Sequence, residues 1–156
     1  MIIRPATTAD LPVLGRLGAM LMRVHYDFDV QRFLYPGTEP ERGYASFLGT
    51  QMQDEDAVVL VADQDGQVIG YVYAAIEPLS WKELRDQAGF IHDIAVDPLA
   101  RGAGVGAQLL EAAVEWLRGH GMHRVMLWTA EQNSTGQRLF ERAGFRRTMV
   151  EMTREL

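Results

Sequence analysis

Apolar residues recur along the chain at two periods, and the switches between them mark the elements. Leu11, Leu14, Leu17 and Leu21 fall at helical spacing. They follow Thr7-Thr8-Ala9-Asp10, a helix start of the S/T-x-x-D/E kind, and Pro12 is comfortable only in a first turn. A helix beginning around Thr8 to Asp10, with its leucines in the core, is predicted. Ile2 to Arg4 reads as a short strand closed by Pro5, and Glu41 to Gln53 as a second helix. Ala57 to Ala62 is a continuous β-branched run of the kind buried on both faces of a sheet; Asp63 to Gly66 then reads as a hairpin turn and Gln67 to Glu77 as the partner strand. Leu79 to Ala88 is polar around Trp81 and reads as a loop or short helix before a strand over Phe90 to Val96. Leu109, Leu110, Ala113, Trp116 and Leu117 share one side of a helix that Gly119-His120-Gly121 ends, which puts His120 and His123 at the surface. Arg124 to Ala130 reads as a strand, Ser134 to Ala143 as a helix stopped by Gly144, and Phe145 to Glu155 as one or two terminal strands.

The pattern breaks in two places. From His25 to Pro40 aromatic residues alternate with Asp27, Asp29 and Arg32 before the turn residues Pro36-Gly37. Rings and carboxylates of this kind hold an ammonium by cation–π and ion pairing; alternatively, Phe28, Phe33 and Tyr35 pin a surface loop while the aspartates face water. The second break is Ile91 to Gly106, where an apolar strand runs into Asp-Pro, an arginine and the alternating glycines Gly102, Gly104 and Gly106 before a helix. Without Cβ atoms the backbone there approaches a ligand closely, and the unpaired N–H groups and positive dipole of the helix start suit a phosphate.

An ATP-type phosphate loop needs Lys-Ser or Lys-Thr after its last glycine, whereas Ala107-Gln108 follows Gly106. Gly102-x-Gly104-x-x-Ala107 satisfies the degenerate dinucleotide pattern, but there the first glycine turns directly off the strand, and here Asp97 to Arg101 intervene. Glycines that merely shape a loop are a third reading, at a cost in backbone entropy at each position. The fourth is Arg-x-x-Gly-x-Gly, met by Arg101, Gly104 and Gly106. With the preceding Asp93-Ile-Ala-Val-Asp-Pro98 it resembles the acyl-CoA-binding motif of the GNAT superfamily of N-acetyltransferases. Asn133-x-x-Gly136-x-x-Leu139-Phe140-x-Arg142-x-Gly144-Phe145 resembles that superfamily's later N-x-x-A-x-x-L-Y-x-K-x-G-F motif, in register.

The resemblance implies an α/β (α+β) single domain over residues 1–156, with a central mixed, mostly antiparallel sheet of six to seven strands flanked by about four helices. It implies that the fourth and fifth strands splay to admit the pantetheine arm of acetyl-CoA, the co-substrate. The arm pairs with the backbone of Ile94, Ala95 and Val96 as an added strand, and the pyrophosphate lies on the N–H groups of Arg101, Gly102, Ala103, Gly104, Val105 and Gly106. An N–H near Ile94 polarises the thioester carbonyl. Asn133 bonds the arm or caps its own helix, and Phe140 lies at the cofactor where the superfamily often has a tyrosine. That is the main departure, since phenylalanine has no O–H to protonate the leaving thiolate; water, Ser134 or no group at all takes that part. The residues between the first two helices are expected to line the acceptor pocket, and a homodimer is a further expectation from the resemblance alone.

Composition narrows the chemistry. At 156 residues and 47% hydrophobic, the chain suits one sizeable core. With no cysteine there is no thiolate metal site, disulfide or cysteine acyl-enzyme, and the four histidines show no metal-ligand spacing, so no metal is expected. No signal-peptide core or membrane-length apolar run is present, which points to the cytoplasm. A net charge of −6 argues against nucleic acid and mildly favours a small-molecule or peptide amine that is cationic.

An amine attacks only when neutral, and one with a pKa of about 10.4 is neutral in roughly one molecule in 2,500 at pH 7. A proton acceptor or water chain is therefore needed. His92 is the first candidate, on the side of Phe90 and Ile94 by two-residue alternation; a strand histidine bonded to a backbone carbonyl is the alternative. Asp93 projects oppositely unless a bulge re-aims it, and Glu77 and Asp27 are weaker candidates. The expected activity is transfer of an acetyl group from acetyl-CoA to a primary amine by direct attack in a ternary complex. The alternative is a CoA-binding sensor without turnover.

Overall fold

The computed structural model describes all 156 residues. A five-stranded sheet in the order β1-β2-β3-β4-β5 is built from β1 (Ile2–Pro5), β2 (Ala57–Gln64), β3 (Gln67–Glu77), β4 (Ala88–Val96) and β5 (Val125–Leu127). The first four strands pair antiparallel and β5 joins β4 in parallel. Four helices, α1 (Leu11–Phe28), α2 (Pro40–Gln51), α3 (Val105–Gly119) and α4 (Ser134–Arg142), complete the fold, with single 3₁₀ turns over Thr8–Asp10 and Pro98–Ala100. None of the helices is long and apolar enough to cross a membrane.

Alternation along β2 divides the core into two layers. Leu60 and Ala62 face Leu109, Leu110 and Leu117 of α3, while Val59 and Val61 face Leu14 and Leu17 of α1 and Leu48 of α2. Both faces are therefore covered, which is why Ala57 to Ala62 carries no polar residue. The β2–β3 turn places Asp65 and Gly66 at φ of 54° and 84°, the left-handed pair a two-residue hairpin requires.

Three expectations need correction. The sheet has five strands, not six to seven: residues 145–156 form no ladder, and β5 covers three residues rather than Arg124 to Ala130. So short a strand offers little edge for another to join. The terminal segment is instead held by side chains, with Arg32 gripping Glu151 through two nitrogens and Arg147 Nη2 donating to Gln137 Oε1 at 2.9 Å. Second, α1 runs on through Phe28, so the first four residues of the acidic-aromatic stretch, His25 to Phe28, are helical; His25 meets Phe28 and Phe33 edge-on at 5.5 and 5.1 Å. Third, Thr7 and Asp10 do form a reciprocal capping box, but on a 3₁₀ turn, and α1 proper begins at Leu11.

Asp10 also anchors β1. Its carboxylate takes Arg4 Nη1 at 2.8 Å and Nη2 at 3.1 Å, while Arg4 Nε reaches Asp63 at 2.9 Å. The Arg4 guanidinium holds the Asp10 carboxyl below its ordinary range, more than burial raises it. A folded-state pKa below the unfolded one stabilises the protein above the ordinary carboxylate range, and the contribution is lost as pH falls through the folded value. Asp10→Asn is expected to cost about 1–3 kcal/mol at neutral pH in urea unfolding, with the gap to the wild type narrowing as pH falls below the ordinary carboxylate range.

Candidate functional site

The site forms where β4 and β5 part. Their pairing covers only Gly89–Ile91 against Val125–Leu127; β4 then continues to Val96 while the chain beyond Leu127 leaves the sheet. The resulting cleft is lined by Ile94 on one side, Trp128, Thr129 and Asn133 on the other, and Phe140 from α4. His92 and Asp93 lie in it as well.

A β-bulge decides which way they point. Tyr73 of β3 pairs with Asp93 and Ala74 with Ile91, so His92 is the extra residue. His92 and Asp93 consequently share the face of α1 and α2, and the parity beyond them is reversed. Ile94 packs with the α3 layer and Ala95 is buried in the α1–α2 layer. Unbroken alternation, with Phe90, His92 and Ile94 on one side, thus fails at Ile94, and Asp93 is re-aimed. Val96, like Ile94, packs toward α3.

His92 lies against Phe90 at 5.6 Å, nearly parallel, and against Tyr73 at 5.0 Å. Its Nε2–H donates to Glu77 Oε1 at 2.8 Å, an assignment that follows from the acceptor being a carboxylate. Nδ1 then carries the lone pair, and no protein group bonds to it. Tyr73 shares this neighbourhood; burial, with help from Glu77, pushes its phenol up to about 12. Asp93 accepts from the Tyr44 and Tyr71 hydroxyls, the latter at 3.1 Å. Burial pushes its carboxyl up, against the pull of both phenols and of the neighbouring His92 and His25. Asp27, by contrast, is exposed on α1 and does not line the cleft.

Past β4, Asp97 accepts from the Leu99 N–H at 3.0 Å and turns the chain into the glycine loop. Gly102 and Gly104 adopt φ of 83° and 78°, and Gly104 is the N-cap of α3. The helical ladder opens with Gln108 N–H on Gly104 O at 3.1 Å, and none of the amides from Arg101 to Ala107 has a backbone acceptor. Arg101, Gly102, Ala103 and Gly104 are exposed, whereas the Val105 side chain is buried in the core and contributes only its amide. A Cβ on Gly106 would come within 3.3 Å of Leu139 Cδ2, so this glycine lets α4 close on the helix start. The Arg101 side chain folds back, Nε donating to Val96 O at 3.3 Å. Asn133 Oδ1 caps α4 by accepting from Gly136 N–H at 3.0 Å, and Phe140 is buried against Phe145 while still reaching the cleft.

Tyr44, Tyr71 and Trp128 escaped the sequence reading. Tyr71 and Tyr73 are visible in it only as alternate residues of a β-rich run; Tyr44 lies on α2, whose packing against the sheet sets its reach. Exposed Trp128 meets Phe90 edge-on at 6.1 Å, extending a row of rings from Phe47 through Tyr73, His92 and Phe90.

Among similar proteins, the chain is 32% identical over 123 residues to a mycothiol acetyltransferase of Cellulomonas flavigena, which covers 72% of this chain but only 35% of that protein. It is 27% identical over 147 residues to the uncharacterized N-acetyltransferase YhfO of Bacillus subtilis, covering 93% of this chain and 89% of that one. The fold superposes with a TM-score of 0.82 on a tetramutant of BH1408 protein from Bacillus halodurans, at 25% identity over the whole of both chains. A predicted acetyltransferase from Clostridium acetobutylicum, solved with acetyl-CoA, shares the fold with a TM-score of 0.73 and 16% identity over 97% of this chain and 95% of that one. The Acetyltransferase (GNAT) family model matches residues 25–145, from the end of α1 through the glycine loop to the residue after Gly144. Motif, splayed strands and profile coincide on the same residues, and the chain belongs to the GNAT acetyltransferase family.

Proposed function

We propose that the protein transfers an acetyl group from acetyl-CoA to a primary amine. The observation that carries this reading is the coincidence of a run of unpaired amides at a helix start with an open strand edge leading from it to His92 and Asp93. The pyrophosphate would rest on the amides of residues 101–107, and the pantetheine arm along β4 past Ile94 to Val96. The glycine conformations fit such a ligand, since a Cβ on Gly102 or Gly104 would meet no protein atom within 4 Å. In the ternary complex the amine nitrogen attacks the thioester carbon; the C–N bond forms, the C–S bond breaks and CoA leaves as its thiolate. His92 Nδ1 receives the proton shed by the amine, with Glu77 stabilising the imidazolium across Nε2. Incubation with acetyl-CoA and a panel of amines, following thiol release, tests the activity. Release no faster than without protein would reject it.

The absence of a phenol at Phe140 favours a second reading, a CoA-binding module without turnover. Phe140→Tyr separates the two. A CoA thiol, taken to resemble free cysteine with a pKa of about 8.5, is a good leaving group, so a working enzyme should change by less than about tenfold in kcat, in either direction. A gain above about a hundredfold would mark the native protein as a binding module.

A further inference from the structure

We infer that Asp93 is the receptor for the ammonium group of the acceptor, with Tyr44 and Tyr71 as its positioning residues, so that the substrate is a protonated primary amine carried on an apolar body. The inference rests on the acetyltransferase reading and gives the other half of the site a chemistry.

The two oxygens of Asp93 are used unequally. Both phenols donate to Oδ2, while Oδ1 has no hydrogen bond and yet is not sealed from solvent. A carboxylate kept only for structure in so apolar a setting would be saturated on both oxygens, because an unpaired buried acceptor is costly. Here one oxygen is clamped and the other is left without a protein partner, on a residue that lines the cleft. The clamp itself takes space from the fold. A Cβ on Gly18 of α1 would lie 2.0 Å from the Tyr44 ring, so only glycine there lets Tyr44 reach across from α2 to β4.

Position and surroundings indicate what Oδ1 receives. The bulge puts Asp93 beside His92 on one face, so an ammonium docked on Oδ1 sits next to the proton acceptor and one residue from Ile94. The groups facing the carboxylate are the neutral phenols of Tyr44 and Tyr71 and the imidazoles of His25 and His92; no Lys or Arg competes for it. Burial keeps both phenols protonated as donors, pushing them well above their ordinary range. Alongside run the rings of Tyr73, Phe90 and Trp128, which offer an apolar wall to the carbon skeleton behind the nitrogen.

The test is calorimetry on the CoA-saturated protein with a panel of primary ammonium ions, among them 2-phenylethylamine, and with 2-phenylethanol as the uncharged analogue. Asp93→Asn keeps an oxygen for the phenols and removes the charge. It is expected to weaken every amine that binds the wild type by at least tenfold, the equivalent of about 1.4 kcal/mol, while the alcohol and acetyl-CoA bind as before. Tyr71→Phe, which preserves shape, should give a smaller loss with the same selectivity for charge. Undiminished amine affinity in Asp93→Asn overturns the inference, as does equal loss of amine and alcohol, or a wild type that binds none of the amines. Failure of the acetyltransferase reading looks different: ammonium binding that depends on Asp93, with no thiol release.

Discussion

His92→Ala is expected to lower kcat/KM at neutral pH by about 10²-fold or more and to remove the acidic limb of the pH profile. The size of the effect follows from the state in which the amine arrives. Only a minute fraction of an alkylamine is neutral near pH 7, and the imidazole supplies the acceptor that makes the remainder usable. The ring is oriented for this at three points: Nε2–H on Glu77, Phe90 on one flank and Tyr73 on another. As the side chain is only half-buried, its loss leaves no closed cavity, and stability should move little. Glu77→Gln keeps a hydrogen-bond acceptor but removes the charge that steadies the imidazolium, so its loss should be smaller, roughly tenfold. A His92→Ala enzyme with an unaltered pH profile would transfer the part to Asp93, Glu77 or bulk water.

Gly104→Val is expected to weaken acetyl-CoA binding tenfold or more, about 1.4 kcal/mol. At φ of 78° a β-branched residue is strained, so the loop relaxes away from the conformation that aims its amides outward. Whatever side chain remains also projects into space that no protein atom occupies. The two effects separate with a control at the β2–β3 turn, where Gly66 has a φ of 84° and equally open surroundings. Gly66→Val should destabilise the fold by a similar amount and leave acetyl-CoA affinity untouched. Equal affinity in a folded Gly104→Val protein would remove the basis of the cofactor assignment.

Most of the fold was legible because its signals are local. The Leu11 to Leu21 repeat, the Asp65-Gly66 turn and the Ala57 to Ala62 run each report a period or a backbone conformation that neighbouring residues alone determine. Strands over 145–155 were misread because β-propensity does not reveal whether an edge is free to pair, and the three-residue β5 is a poor template. The glycine loop was legible for the same reason as the turn: positive φ leaves a mark in sequence. The face that holds His92 and Asp93 was only half legible. His92 and Asp93 stand out as polar residues in an apolar strand, but which face each takes depends on a bulge in the β3–β4 register. Nothing local marks Tyr44 as Asp93's partner, because that contact joins residues 49 positions apart through a gap left by a glycine in a third element.

The central claim is tested most directly by stoichiometry. Wild-type protein mixed with acetyl-CoA and a protonated primary amine is predicted to release CoA thiol and form the N-acetylated amine one for one, with both signals lost together in His92→Ala. Thiol release without acetylated amine, or neither product despite bound acetyl-CoA, would contradict the account.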